Sequence, residues 1–193
     1  MSEFHHQKRG VLYAITCAAR SAEPMFIEDF ILLAQASSWT VHVIATPQAI
    51  NFIDKPLIEK LTGYPVRSEY KHPDEPSIFP RADAIVVAPT TFNTINKWAL
   101  GITDTLALGL LSEYMCSGTP IVSVPCVQQV MARHPAFPKS VALLEECGVR
   151  VLYEPQKYPP MNNVPWKNIL QSLDETIEKH HVLSRQKEGS LLK

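Results

Sequence analysis

Between Ala82 and Leu106 the chain reads ADAIVVAPTTFNTINKWALGITDTL. An apolar run suited to a buried strand, Ala84–Ala88, gives way to Pro89. Thr90, Thr91, Asn93 and Thr94 then fall within five residues, before a helical pattern begins. Helix capping accounts for one of the four, because only one side chain can be the N-cap. The others call for a different receiver. Asn93 carries a donor and an acceptor on one planar amide, which suits a heterocycle with mixed edges. The chemistry these residue types fit is the orientation of a polar, planar ligand where a strand meets a helix.

Three other strand ends carry polar groups. After Gly10–Thr16 comes TCAARSA, where Arg20 offers charge and Thr16 and Ser21 offer hydroxyls for an anion at a helix N-terminus. It reads equally as an ordinary strand–helix turn, since it lacks the glycines of the GxGxxG fingerprint. Thr46, before Pro47, reads as a helix-start cap. In VPCVQQVMARHP, Gln128, Gln129, Arg133 and His134 lie beyond a strand end, as a site or as a solvated helix start.

The elements that must position these loops follow from periodicity. Strands are expected at Gly10–Thr16, Trp39–Ala45, Ala84–Ala88, Thr119–Val124 and Arg150–Tyr153, with a short one opening at Val66–Arg67. Helices are expected at Glu23–Ser37, in two pieces across 47–61, and at Thr91–Gly101, Asp104–Cys116, Lys139–Cys147 and Trp166–Leu183. Pro24 suits a first helical turn, and Gly148 suits a helix stop. KHPDEPSIFP and EPQKYPPMNNVP read as loops. Strands apolar on both faces, alternating with helices, predict an α/β fold: a Rossmann-like three-layer α/β/α domain with a parallel sheet. The expected organisation is one domain over 10–183, a flexible N-terminus at 1–9 and a loose tail at 184–193. Ligands of such sheets sit beyond the carboxyl ends of the strands.

The bulk composition narrows the class. With 46% apolar and 19% charged residues and a net charge of -1, the chain reads as an ordinary globular protein. It has no basic block, so neither nucleic acid nor a membrane surface is an expected partner. The most apolar window, about Trp98–Met115, contains Asp104 and Glu113 and is too short to span a bilayer. MSEFHHQKRG lacks the apolar core of a signal peptide. Cys17, Cys116, Cys126 and Cys147 are scattered and form no CxxC pair, so reduced thiols, a cytoplasmic location and no metal site are expected.

The 82–106 segment resembles the central motif of the homo-oligomeric flavin-containing cysteine decarboxylases, which include phosphopantothenoylcysteine and peptidyl-cysteine decarboxylases. Ala82, Asp83, Ala88, Pro89, Asn93, Thr94, Lys97, Ala99, Gly101, Ile102, Asp104 and Leu106 fall in register with it. The resemblance implies a flavoprotein-type domain that binds flavin mononucleotide (FMN). It also implies assembly as a homotrimer or as larger sets of trimers, including a homododecamer. Thr16 and Ser21 would lie by the phosphate, Thr46 near the flavin, and Thr91 and Asn93 on the ring or its chain.

Three departures from that pattern carry meaning. The first loop lacks the usual glycines, which leaves room for Arg20 to assist the phosphate. The nearest match to the family's catalytic histidine is His72, 11 residues before Asp83; it reads as that group or as an exposed loop histidine. After the 119–124 strand, Gln128 stands at the asparagine position that holds a substrate carboxylate, and Ala132 at a tryptophan position.

The implied reaction is oxidative decarboxylation of a cysteine-like thiol carboxylate. In the family chemistry, flavin takes hydride equivalents from the thiol-bearing carbon, the thioaldehyde acts as electron sink, and carbon dioxide leaves to give an enethiol. Asn93 would fix the ring, Gln128 would bind the carboxylate, and His72 or His134 would move a proton. Two alternatives stay open: a flavin prenyltransferase, and a flavin-binding regulatory or scaffold subunit without catalysis.

Overall fold

The computed structural model describes residues 8–19, 24–71, 74, 79–153 and 166–191. Five parallel strands form one sheet in the order β2-β1-β3-β4-β5. These are β1 (Gly10–Thr16), β2 (Trp39–Ala45), β3 (Ala84–Thr90), β4 (Ile121–Pro125) and β5 (Arg150–Val151). β1 pairs with β2 from Gly10↔Trp39 to Thr16↔Ala45, and with β3 from Leu12↔Ala84 to Ile15↔Val87. Val66–Arg67 does not open a strand; it contributes a single bridge, Ile44↔Arg67.

Successive side chains of a strand point to opposite faces, so each strand feeds two cores. Leu12, Ala14, Val41, Val43, Ala84 and Val86 pack on one face against α1 (Pro24–Ala36), α2 (Lys55–Thr62) and α7 (Trp166–Leu191). Tyr13, Ile15, Ile44, Ile85, Val87 and Ile121 pack on the other against α3 (Phe92–Ala99), α4 (Leu106–Cys116) and α6 (Ala136–Glu146). The expected three layers are present, and β3 is buried along its whole length.

Local chemistry sets the helix starts. Asp54 accepts the Leu57 N–H at 3.1 Å to begin α2, and Gly63 at φ 76° ends it. Thr91 caps α3 and Thr105 caps α4. The short α5 (Gln129–Ala132) precedes α6, which begins at Ala136, ahead of the expected Lys139. The closing helix continues to Leu191, past the expected stop at Leu183. SRQKEGSL contains no proline to end it, and residues 184–191 continue the helix.

The strand order fixes where a ligand can enter. The chain leaves β1 for β2 on one side and returns to β3 on the other side of β1. This is the flavodoxin-like order, and its topological switch point lies between the carboxyl ends of β1 and β3.

Candidate functional site

A crevice of about 640 Å³ opens at that switch point. Ala18 and Ala19 wall it after β1, Thr46–Gln48 after β2, Thr91–Thr94 and Lys97 after β3, and Cys126–Gln128 with Met131 after β4. Thr105 and Leu108 close it from the start of α4. Backbone bonds beyond the strands hold the loops in place: Thr46 N–H to Thr16 O at 2.9 Å, Cys17 N–H to Pro89 O at 3.1 Å, and Cys126 N–H to Thr90 O at 2.8 Å. The ladder between β3 and β4 changes register between Val87 and Thr90, immediately before these loops.

The four polar residues after β3 divide into separate roles. Thr90 is fully buried; its hydroxyl donates to Val87 O at 2.7 Å and pairs with Ser123 Oγ at 2.9 Å. Its hydroxyl serves the sheet, and Thr90 is not among the described crevice walls, where a cofactor contact was expected of it. Thr91 is the cap, meeting the Thr94 N–H at 3.4 Å and the Thr94 hydroxyl at 3.0 Å, while its side of the turn faces the crevice. Thr94 is nearly buried beneath it but still reaches the crevice wall. Asn93 is exposed on that wall, and nothing among the described residues hydrogen-bonds its carboxamide.

Asn96, one turn further along α3, shows the contrast. Its Nδ2 donates to Phe92 O at 2.8 Å, and its Oδ1 accepts from Ser140 Oγ at 2.8 Å. One asparagine locks α3 to α6; the other presents a donor and an acceptor to open space.

Thr46 lines the crevice, but it does not cap a helix through its side chain. Its carbonyl accepts the Ala49 N–H at 2.8 Å, and the turn at Ala49–Asn51 has no side-chain cap. Thr16 lies at the end of β1, 1% exposed, and its hydroxyl has no partner among the described residues. A buried unpaired hydroxyl is costly, so its place at a ligand-facing strand end is informative. Beside it, Cys17 is buried and its thiol pKa is raised by desolvation, against lowering hydrogen bonds to the Thr94 side chain and the Thr91 backbone. That thiol stays protonated and unreactive.

The expected catalytic residues are not all brought together. Gln128 lines the crevice at the start of α5, exposed and with no side-chain capping bond. His134 stands apart. Its Nδ1 accepts the Ala136 N–H at 3.2 Å at the entry to α6, and its ring meets Phe92 edge-on at 5.8 Å. It is not among the crevice walls, because the turn into α6 engages it. Arg20, Ser21 and His72 lie outside the described residues.

The sequence reading missed several contributors. Lys97 reaches the crevice and bonds Asp104 Oδ2 at 2.5 Å. It sits four positions after Asn93, and that helical spacing is the signal that puts both on one face. Thr105 carries a second contact: its carbonyl accepts the Tyr70 hydroxyl at 3.2 Å. Tyr70 reaches it only because Gly109 has no side chain; a Cβ there would stand 2.1 Å from the Tyr70 hydroxyl oxygen.

Among the described residues no group of three or more His, Cys, Asp or Glu is placed to hold a metal ion, and no helix is long and apolar enough to cross a membrane. None of the chain's four cysteines is in a disulfide.

Comparison with known proteins agrees with the geometry. A family model described as Flavoprotein matches residues 2–178. The chain is 32% identical over 121 residues to the coenzyme A biosynthesis bifunctional protein CoaBC of Mycobacterium bovis, covering 60% of this chain but only 28% of that protein. Its fold is similar to that of the FMN-dependent cysteine decarboxylase SpaF, with a TM-score of 0.69 at 22% identity, covering 87% of this chain and 97% of the other. It is similar also to the peptidyl-cysteine decarboxylase EpiD, with a TM-score of 0.68 at 23% identity, covering 85% and 98%. At these identities the two structures establish the fold.

Proposed function

The chain belongs to the flavoprotein family, and from that premise we propose that its crevice holds FMN and serves oxidative decarboxylation of a cysteine-like thiol carboxylate. The observation that carries this reading is the open Asn93 carboxamide at the β1/β3 switch point, faced by Thr46 and Gln128 from neighbouring loops. The residues fit the group. A flavin ring has an edge of alternating donors and acceptors, which a carboxamide matches. The unpaired Thr16 hydroxyl lies at the strand end where the first loop begins, buried behind the crevice rather than among its walls.

The bound flavin would accept the two electrons removed from the thiol-bearing carbon, the step that lets carbon dioxide depart. The chain's own part is positioning. Asn93 orients the ring edge, with Thr46 and Thr91 beside it. Gln128 donates its amide N–H groups to the substrate carboxylate from the opposite loop. Ala18, Ala19, Val127, Leu108 and Met131 supply apolar walls that exclude water. With His134 engaged at α6, proton movement falls to His72 in this reading.

Assembly into trimers, or multiples of them, belongs to the same proposal. Val130 and Met131 of α5 are 78% and 43% exposed, and Leu100 and Ile102 in the turn after α3 are 72% and 40% exposed. A rim this apolar suits burial against another copy. A cytoplasmic location suits the four free thiols. The prenyltransferase alternative needs a strongly cationic phosphate site, and the described crevice walls offer Lys97 alone.

The test begins with the visible spectrum of the purified protein and mass identification of what denaturation releases; released FMN is expected. FMN-loaded protein is then incubated with a cysteine-ended peptide and with phosphopantothenoylcysteine. Loss of carbon dioxide from either supports the reaction, with loss of two hydrogens as well if the reduced flavin does not return its electrons to the product. Bound flavin that never changes redox state with either thiol assigns the non-catalytic binding role instead. Light scattering in solution measures the assembly.

A further inference from the structure

We propose that Lys97 is the receptor for an anionic group, a carboxylate or a phosphate, on a ligand in the crevice, and that Asp104 is the counter-ion it leaves to do so. The inference deepens the reading above and rests on the crevice being the ligand site. Among the described residues, Lys97 is the one charged side chain in the crevice wall. All its other described walls are neutral, so among the described residues Lys97 alone can compensate an anionic substituent.

That place is defined within the crevice. Lys97 lies one helical turn past Asn93 on α3 and shares the crevice wall with Leu108 of α4 and its cap Thr105. The loops after β1 and β2 supply only neutral groups among the described walls. The crevice is thus electrostatically lopsided, with hydroxyl and amide groups around Asn93 and a cation at the α3–α4 end.

The pairing with Asp104 does not tie the lysine down. Their side chains are 32% and 49% exposed, and ion pairs this wet contribute little to stability. Asp104 is itself not among the crevice walls. A flexible lysine stem can swing its ammonium from the carboxylate at the rim to an anion inside, where lower solvent access strengthens the attraction. The two halves of the pair then act oppositely on an anionic ligand. Lys97 attracts it, and Asp104 competes for Lys97.

That opposition is the test, made on the full chain with Lys97→Met, Lys97→Arg and Asp104→Asn. Two ligand pairs separate the sources of negative charge. FMN against riboflavin, followed by flavin fluorescence, reads the phosphate. A cysteine-ended peptide with a free carboxylate against its C-terminal amide, titrated into FMN-loaded protein, reads the carboxylate. Lys97→Met is expected to weaken the anionic member of one pair about tenfold or more and to leave its neutral partner unchanged. Lys97→Arg restores most of the loss. Asp104→Asn strengthens the same anionic ligand roughly threefold. The responding pair identifies the group.

The proposal is overturned if Lys97→Met and Asp104→Asn shift binding in the same direction, as a purely structural tie would make them. Equal weakening of anionic and neutral ligands overturns it too. If neither flavin binds the unaltered protein, the cofactor reading fails by itself. Calorimetric titration of the two peptides into the flavin-free protein then decides the role of Lys97 by the same criteria.

Discussion

At the N-terminal edge of the sheet the charged groups are paired within the chain, although the buried Trp39 indole N–H has no partner among the described residues; at the C-terminal edge several polar groups are left open. Asp83 accepts the Val11 N–H at 2.7 Å, where Gly10 turns into β1. Arg9 pairs with Asp174 of α7 and lies over the Trp39 ring at 4.9 Å. At the other edge the Thr16 hydroxyl has no partner among the described residues, and Asn93 and Gln128 face solvent-accessible space. The edges share strands and differ in purpose. One fixes register, and the other keeps hydrogen-bonding capacity for a visitor. His42 shows that an orphaned polar group is not by itself a site. Both its ring nitrogens lack hydrogen-bond partners among the described residues, but Tyr64 and Phe79 enclose it at 4.1 and 4.5 Å.

Substitutions that treat the two edges alike should therefore have unlike effects. Asn93→Ala is expected to weaken FMN by about 2–3 kcal/mol, since a group that orients polar edges in an enclosed site is lost. The thermal midpoint of the flavin-free protein should stay put; an equal fall in that midpoint would make Asn93 structural and erase the contrast. Gly10→Ala should do the reverse. Gly10 sits at φ 136°, and an added Cβ would lie 2.4 Å from Asp83 Oδ2. It should cost about 2 kcal/mol in denaturant unfolding while the folded fraction binds flavin normally.

The enclosed histidine supplies a pH test. Desolvation lowers the His42 pKa from the usual 6.5, so the folded state keeps the ring neutral while the unfolded chain takes up a proton below that value. The unfolded state then binds more protons, and stability falls with falling pH from near 6.5, by up to about 1.4 kcal/mol per pH unit. A His42→Phe variant should lack this component in urea titrations at several pH values. An identical slope in the variant would assign it to other groups.

The smallest effect belongs to Thr16→Val. It removes an orphaned hydroxyl at constant shape, so the flavin-free protein should hold its stability or gain up to about 1 kcal/mol. Flavin affinity should fall in the same variant. A loss of stability without flavin would show that the hydroxyl has a partner of its own.

Most of the architecture was legible because alternation of apolar strands and amphipathic helices reports burial directly. The location of the crevice followed from the same pattern through the strand-end rule. Side-chain roles within it were less legible. Thr90 and Asn93 belong to one polar cluster, yet Thr90 turns into the sheet toward Ser123. Only the tertiary partner tells them apart. Thr46 looked like a cap because a threonine before a proline often is one, but here the turn closes through its backbone carbonyl. His134 was drawn to the site by proximity in sequence, and the Ala136 N–H holds it at the helix entry instead. The tail continues the helix because its residues, apart from Gly189, are compatible with one and no proline interrupts it.

Gly109 bears on any effort to make this protein hardier. A glycine inside a helix is ordinarily the first position an engineer would fill with alanine. Here the vacancy above it is occupied by the phenol of Tyr70. The propensity gained in α4 would come at the expense of a clasp that fastens a distant segment to Thr105 at the lip of the crevice. Thermal robustness and ligand handling meet at one missing methyl group.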